Sequence, residues 1–251
     1  FDHPATHRHL HWDVKHASQV VRQHKDKIAN AARRALVEQF LADFETNAAP
    51  LLPELRTSVI HNDGNDYNVI VGDEETGGLF GRSKKIAGVI DLGDMVHTYT
   101  ICEVAIATAY AMLDKIDPLA AAAQVVGGYH AVYPLTETEL AVLYPLICMR
   151  LCMSVSLCAH QQALEPDNQY LSISERPAWA LLEKLVKLKP QLAHYTLRQA
   201  CGLPACPHAA QVVHWLQAHA AELGPVINLD LKTAPTLVFD WSFGSLEMGE
   251  L

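Results

Sequence analysis

The residues best suited to chemistry in this 251-residue chain fall in two short acidic stretches. The first is His61-Asn62-Asp63-Gly64-Asn65-Asp66-Tyr67-Asn68, and the second is Asp91-Leu92-Gly93-Asp94. Apolar runs at Val69–Val71 and Ile86–Ile90 adjoin them, so both clusters stand at the ends of expected buried strands. An aspartate with an asparagine five residues later, on one tight loop, offers two things. Its carboxylate can orient an attacking hydroxyl, and the amide oxygen can hold a hard cation. Asp91, at the end of the neighbouring strand, adds a second oxygen ligand. Phosphoryl transfer from a nucleotide needs that donor set and little covalent chemistry besides. Each residue alone has an ordinary explanation, because Asp and Asn form turns and cap helices. Their joint spacing favours one shared site.

Mostly helical text surrounds these stretches. Over residues 5–47 apolar residues recur at helical spacing, including Leu10, Val14, Val20 and Val21, then Ile28, Leu36, Phe40 and Phe44. Pro50 and Pro53 end that region. The two strands are joined by GDEETGGLFGRSKK, a polar glycine-rich hairpin connection. Further helices are expected at about 99–113, 117–131 and from Thr136 to about 163, the last opened by a capping box between Thr136 and Glu139. Two or three more fill 174–222, broken by Pro190 and GLPACP. The fold class expected is α+β, mostly α, with one small β hairpin insert carrying the acidic loop. Residues 1–225 form its one domain. Residues 226–251 lose the helical period and read as an extension or the start of a further domain.

Half the residues are hydrophobic and the formal net charge is −9. That balance excludes a general nucleic-acid binder, which needs a basic face, and suits a cationic small substrate or a divalent metal. No apolar run approaches the roughly 18 residues of a membrane span, and no signal pattern opens the chain, so no membrane role is expected. Cys102, Cys148, Cys152, Cys158, Cys201 and Cys206 sit mostly in apolar helical text, as buried reduced thiols do. This favours a cytoplasmic location. Cys201 and Cys206 with His208 lack the second ligand pair of a zinc site. His3, His7 and His11 are spaced four apart and could line a helix face; without an evident carboxylate partner, they read as surface or packing residues.

The pattern H-x-D-x-x-x-x-N followed by I-D-L-G-D resembles the kinase-like phosphotransferases that include aminoglycoside phosphotransferases and choline kinases. GVIDLGDMVHTYTICEVAIATAYAML looks most like the hydroxylysine kinases. The resemblance extends over about residues 1–220, with its sharp motifs in 59–112. It implies that Asp63 is the catalytic aspartate and that Asn68 and Asp91 bind Mg2+. It makes His61 a brace for the second aspartate and Asp94 a supporting residue, by a substrate or water contact or as cap of the following helix. Asn65 falls where a substrate-side or phosphate-side contact is made, and Glu103 where an internal ion pair is expected. ATP is the implied co-substrate, and the acceptor a hydroxyl on a small amine-bearing molecule: an amino alcohol, a hydroxylysine-like compound or an aminoglycoside. The implied architecture is the C-terminal lobe of a protein kinase-like fold. The N-terminal lobe is expected to be missing, because residues 1–58 contain no glycine for a phosphate-covering loop. The isolated chain is therefore expected to turn over poorly. Similar lobes occur fused to an aminotransferase-like domain, so a multidomain parent is implied as a partner. The competing expectation is a catalytically silent interaction module with a kinase-like shell.

Overall fold

A computed structural model describes residues 2–75, 82–165 and 175–219; the expectation for 226–251 lies outside them. Its axis is a long helix that starts where the capping box predicts. Thr136 Oγ1 accepts from Glu139 N at 3.2 Å while Thr136 N donates to Glu139 Oε2 at 2.9 Å. Numbering helices in chain order, these are α1 (Ala17–His24), α2 (Ala31–Asn47), α3 (Ile101–Ala111), α4 (Pro118–Val132), α5 (Glu137–Leu164), α6 (Glu175–Leu185), α7 (Pro190–Ala200) and α8 (Ala209–Ala218). Helix α5 is apolar on nearly every face, which is the pattern of a helix surrounded by others, and α1, α2, α3, α6 and α7 pack around it. Its length and composition would suffice to cross a membrane, contrary to the expectation that no run comes near that size. Within the fold 83% of its most apolar stretch is buried, so it is a core helix here. Helices α4 and α7 approach so closely at Gly127 that a Cβ there would lie 2.7 Å from the Ala200 carbonyl oxygen.

The helices of the second half match their expected positions, whereas the N-terminal region departs from its reading. Regular helix starts only at Ala17, after short 3-10 turns at Pro4–Thr6 and Val14–His16, and it breaks before Ala31. His3 caps the first of these turns, so His3, His7 and His11 do not share a helix face. His7 does have a carboxylate partner, Asp2, at 2.7 Å, and its ring stacks on His97. Of the cysteines, all but the half-buried Cys201 are buried, and none is in a disulfide.

Among the described residues four strands form two separate antiparallel pairs: β1 (Thr57–Ile60) with β4 (Val96–Tyr99), and β2 (Val69–Glu75) with β3 (Arg82–Val89). The β2–β3 hairpin was expected as two buried strands. Instead its apolar side chains are open, with Ile86 at 70% exposure and Val71, Val89 and Ile90 about half exposed. The hairpin packs mainly on itself and projects from the helices.

One ion pair ties the sheet to the bundle. Arg56, just before β1, donates from Nε and Nη2 to Glu139 at 2.8 and 2.5 Å, and from Nη2 to the Pro134 carbonyl at 2.9 Å. Glu139 is only 1% exposed. Burial pushes its carboxyl up, but the Arg56 bonds and the Thr136 amide outweigh that, and the net shift is downward. A carboxyl held below its unfolded pKa stabilises the fold above the ordinary Glu range and stops doing so as pH falls through its folded pKa. Arg56→Met should therefore cost about 3 kcal/mol near neutral pH, because it strands a buried charge. The difference from wild type should shrink below the ordinary Glu range as Glu139 takes a proton. Urea unfolding at both pH values measures this; a pH-independent difference would contradict it.

Candidate active site

Strand pairing forces the two acidic stretches together. Ile60 pairs with Val96 in one sheet and Val69 with Val89 in the other. The chain therefore leaves the first sheet through residues 61–68 and returns to it through 90–95, in two connections that must run side by side. The acidic loop lies between the sheets, at the base of the hairpin. Ile90 N donates to the Asn68 carbonyl at 2.9 Å, which joins the two connections directly. His61 joins them again. Asp63 N donates to His61 Nδ1 at 3.2 Å, so the ring proton is on Nε2, which donates to the Ile90 carbonyl at 2.8 Å. His61 thus holds the peptide immediately before Asp91.

Inside the loop, amides hold Asp63 on one side. Its Oδ2 accepts from Asn65 Nδ2 and from Asn68 Nδ2, each at 2.9 Å, and Asn68 Nδ2 also donates to the Asp63 carbonyl at 2.9 Å. Asn65, expected on the substrate or phosphate side, has both ends of its amide engaged in the loop. Its Oδ1 accepts from Tyr67 N at 2.8 Å and Asn68 N at 3.1 Å. With Nδ2 of Asn68 turned to Asp63, Oδ1 of the same amide faces the other way. Asp91 has left-handed backbone (φ 60°), which Asp tolerates better than most residues. Its carboxylate bonds only weakly within the turn, accepting from Gly93 N at 3.3 Å. A Cβ at position 93 would come within 3.1 Å of that carboxylate, so glycine leaves the Asp91 side chain its room.

The other side of Asp63 faces the helix bundle. Arg150 Nη2 lies 3.8 Å from Asp63 Oδ1 and donates to Tyr110 Oη at 2.9 Å. Arg150 sits in the middle of α5, is 4% exposed, and its guanidinium lies over the Trp12 and Tyr110 rings at 5.6 and 5.5 Å. The sequence reading passed over it. The signal was a lone cation inside ICMRLCMSV, where an unpaired charge would be costly.

Residues 2–140 match the sequence profile of the phosphotransferase enzyme family. The chain belongs to that family. It is 30% identical over 191 residues to a hydroxylysine kinase of Bos taurus, covering 74% of this chain and 50% of the relative. It is 29% identical over 175 residues to the hydroxylysine kinase of Mus musculus, covering 69% and 46%. With the hydroxylysine kinase of Danio rerio it shares 34% over 155 residues, covering 61% and 42%. The chain thus spans about half the length or less of these curated relatives. No solved structure matches it.

For a phosphotransferase, the donor chemistry at the hairpin base suits a hard divalent cation. Asn68 and Asp91 supply oxygen, both nitrogens of the adjacent His61 ring are taken up by Asp63 N and the Ile90 carbonyl, and both residues leave the same end of the β2–β3 pair. Asp94 does not cap a helix. It ends a 3-10 turn, Leu92–Asp94, and strand β4 intervenes before α3. Arg8 Nη2 donates to the carbonyls on either side of it, Gly93 and Met95, and pins this return connection. Glu103 was expected in an ion pair. Among the described residues it has none, and its Oε2 accepts instead from Asn62 N at 3.1 Å. Asn62 is left-handed (φ 67°) and 1% exposed, and its two side-chain polar atoms are buried with no hydrogen-bond partner among the described residues. Backbone held in that way, immediately before Asp63, is the kind of local strain that fixes a functional loop.

Proposed function

We propose that this chain carries the acceptor and metal side of an ATP-dependent phosphotransferase, which moves the γ-phosphoryl group to a hydroxyl of a small amine-bearing molecule. The observation that carries the reading is the two-sided setting of Asp63. Amides of Asn65 and Asn68 tie Oδ2, leaving Oδ1 towards the bundle, where an acceptor can enter. In this reading Oδ1 orients the acceptor hydroxyl and takes its proton. The hydroxyl oxygen forms the new bond to the γ-phosphorus, the bond from that phosphorus to the β–γ bridging oxygen breaks, and ADP leaves. Asn68 Oδ1 and Asp91 would hold magnesium, which would neutralise charge on the phosphates.

The exposed apolar edge of the hairpin, with Ile86, Val89, Ile90 and Leu92, fits a surface that a nucleotide and a nucleotide-binding lobe would cover. On this reading the described residues are the C-terminal lobe of a kinase-like fold. The hydroxylysine kinases named above make hydroxylysine the first acceptor to try.

The test is transfer from labelled ATP with Mg2+ in the full-length protein, offering hydroxylysine, ethanolamine and an aminoglycoside. A phosphomonoester of at least one is expected. ATP hydrolysis without any phosphorylated amine, or no turnover, would overturn the proposal.

A further inference from the structure

Arg150, whose Nη2 lies 3.8 Å from Asp63 Oδ1, also lines a cavity of about 200 Å3 whose walls include Trp12, Tyr110, Leu113, Ser154 and Gln161. Two nitrogens of Arg150, Nε and Nη1, are buried and have no hydrogen-bond partner among the described residues. Among these residues Nη2 alone is engaged, by Tyr110 Oη and the more distant Asp63 Oδ1. An arginine in that state is expensive to keep: the guanidinium is always charged, and its unmade bonds are withdrawn from bulk solvent. The Trp12 and Tyr110 rings fix its plane and soften the charge, but they offer no hydrogen-bond acceptor to Nε or Nη1.

We infer that Arg150 is the anchor for a carboxylate on the acceptor, and hence that the acceptor is a hydroxy amino acid. The inference rests on the phosphotransferase reading above and narrows it. A planar guanidinium with unpaired N–H groups in the wall of a cavity that Trp12 and Tyr110 also line is matched to a carboxylate in shape, charge and donor geometry. A substrate ammonium group is excluded from the same spot by like charge in a desolvated site. An amino alcohol or an aminoglycoside would leave the guanidinium unsatisfied, whereas an amino acid satisfies it and presents its side-chain hydroxyl to Asp63.

The rival anion is the transferred phosphate. Its side of Asp63 is the one marked by Asn68 and Asp91, reached through Oδ2 and the hairpin base, whereas Arg150 approaches Oδ1 from the bundle. The two sides of one carboxylate thus separate the phosphate from the acceptor.

The deciding comparison uses the full-length protein with hydroxylysine and the diamine formed from it by decarboxylation, which keeps both amines and the hydroxyl. Wild type should favour the amino acid by roughly 100-fold in kcat/KM, since a site built to pair a charged group rejects an analogue lacking it. In Arg150→Gln and Arg150→Met the ratio should fall towards one, with melting temperature as the control for folding. Equal use of the two acceptors by wild type, or a preference for the diamine, overturns the inference without touching the phosphotransferase reading. That comparison needs no variant. An unchanged ratio in a folded Arg150 variant, with both rates reduced together, overturns it too and returns Arg150 to the phosphate. Transfer to neither compound nor to any other amine removes the phosphotransferase reading, and this inference with it.

Discussion

Asp63→Asn in the full-length protein should lower kcat for phosphoryl transfer by roughly 10³-fold, as expected for loss of a positioned proton acceptor. The substitution is nearly isosteric. An asparagine oxygen can still accept from Asn65 Nδ2 and Asn68 Nδ2, so the loop bonds at 2.9 Å have a replacement acceptor. What it removes is the carboxylate charge and the oxygen that faces Arg150 and the bundle, where an NH2 group, which cannot take a proton, stands instead. The acceptor KM should therefore move by no more than a few-fold, and the melting temperature should barely change, because the side chain is partly exposed and outside the core. An interaction made only in the transition state lowers kcat and kcat/KM together, and that is the signature to look for. A variant that keeps a tenth of the wild-type rate would exclude Asp63 as the base. A variant that unfolds would show instead that the carboxylate holds the loop together.

Much of the helical frame was legible because its signals are local. The capping box at Thr136 and Glu139, Pro118 and Pro190 at helix starts, and the apolar text of α3 and α5 are each decided within a few residues. Strands β1 and β4 were missed for the opposite reason. Each has only four residues, and Thr57 finds its partner Tyr99 across an intervening hairpin, so no turn marks the pairing. The expected β2–β3 hairpin already set the Asp63 and Asp91 loops side by side, because Val69 pairs with Val89 at its base. The unseen sheet adds the second tie, pairing Ile60 with Val96 at the far ends of the 61–68 and 90–95 connections. The exposure of Ile86 and Val89 was misread because a run of apolar residues records what a strand needs covered, not what covers it. Glu103 and Arg150 show the limit for single charges. Sequence shows that a buried charge must be answered, but the answers here, the Asn62 amide and the Tyr110 hydroxyl, lie far along the chain.

Asp91→Ala should lower transfer by roughly 10²–10³-fold and raise the Mg2+ concentration needed for half-maximal rate, since one charged oxygen ligand is lost from a site with few. Asp91→Asn keeps an oxygen and loses only charge, so its rate should lie between those of wild type and Asp91→Ala. The ordering has a structural basis. The carboxylate makes one long bond within its turn, to Gly93 N at 3.3 Å, and the left-handed backbone that displays it is fixed by its neighbours. These are the Ile90 peptide, held by Asn68 and His61, and the Gly93 and Met95 carbonyls, held by Arg8. The turn should therefore survive loss of the carboxylate, and melting curves without metal should nearly coincide. A rate loss that excess Mg2+ partly restores identifies Asp91 as a ligand. A loss of the same size with an unshifted Mg2+ requirement would remove Asp91 from the metal and leave Asn68 without a partner, and the pairing of the two connections would then have to serve the acceptor rather than the phosphates.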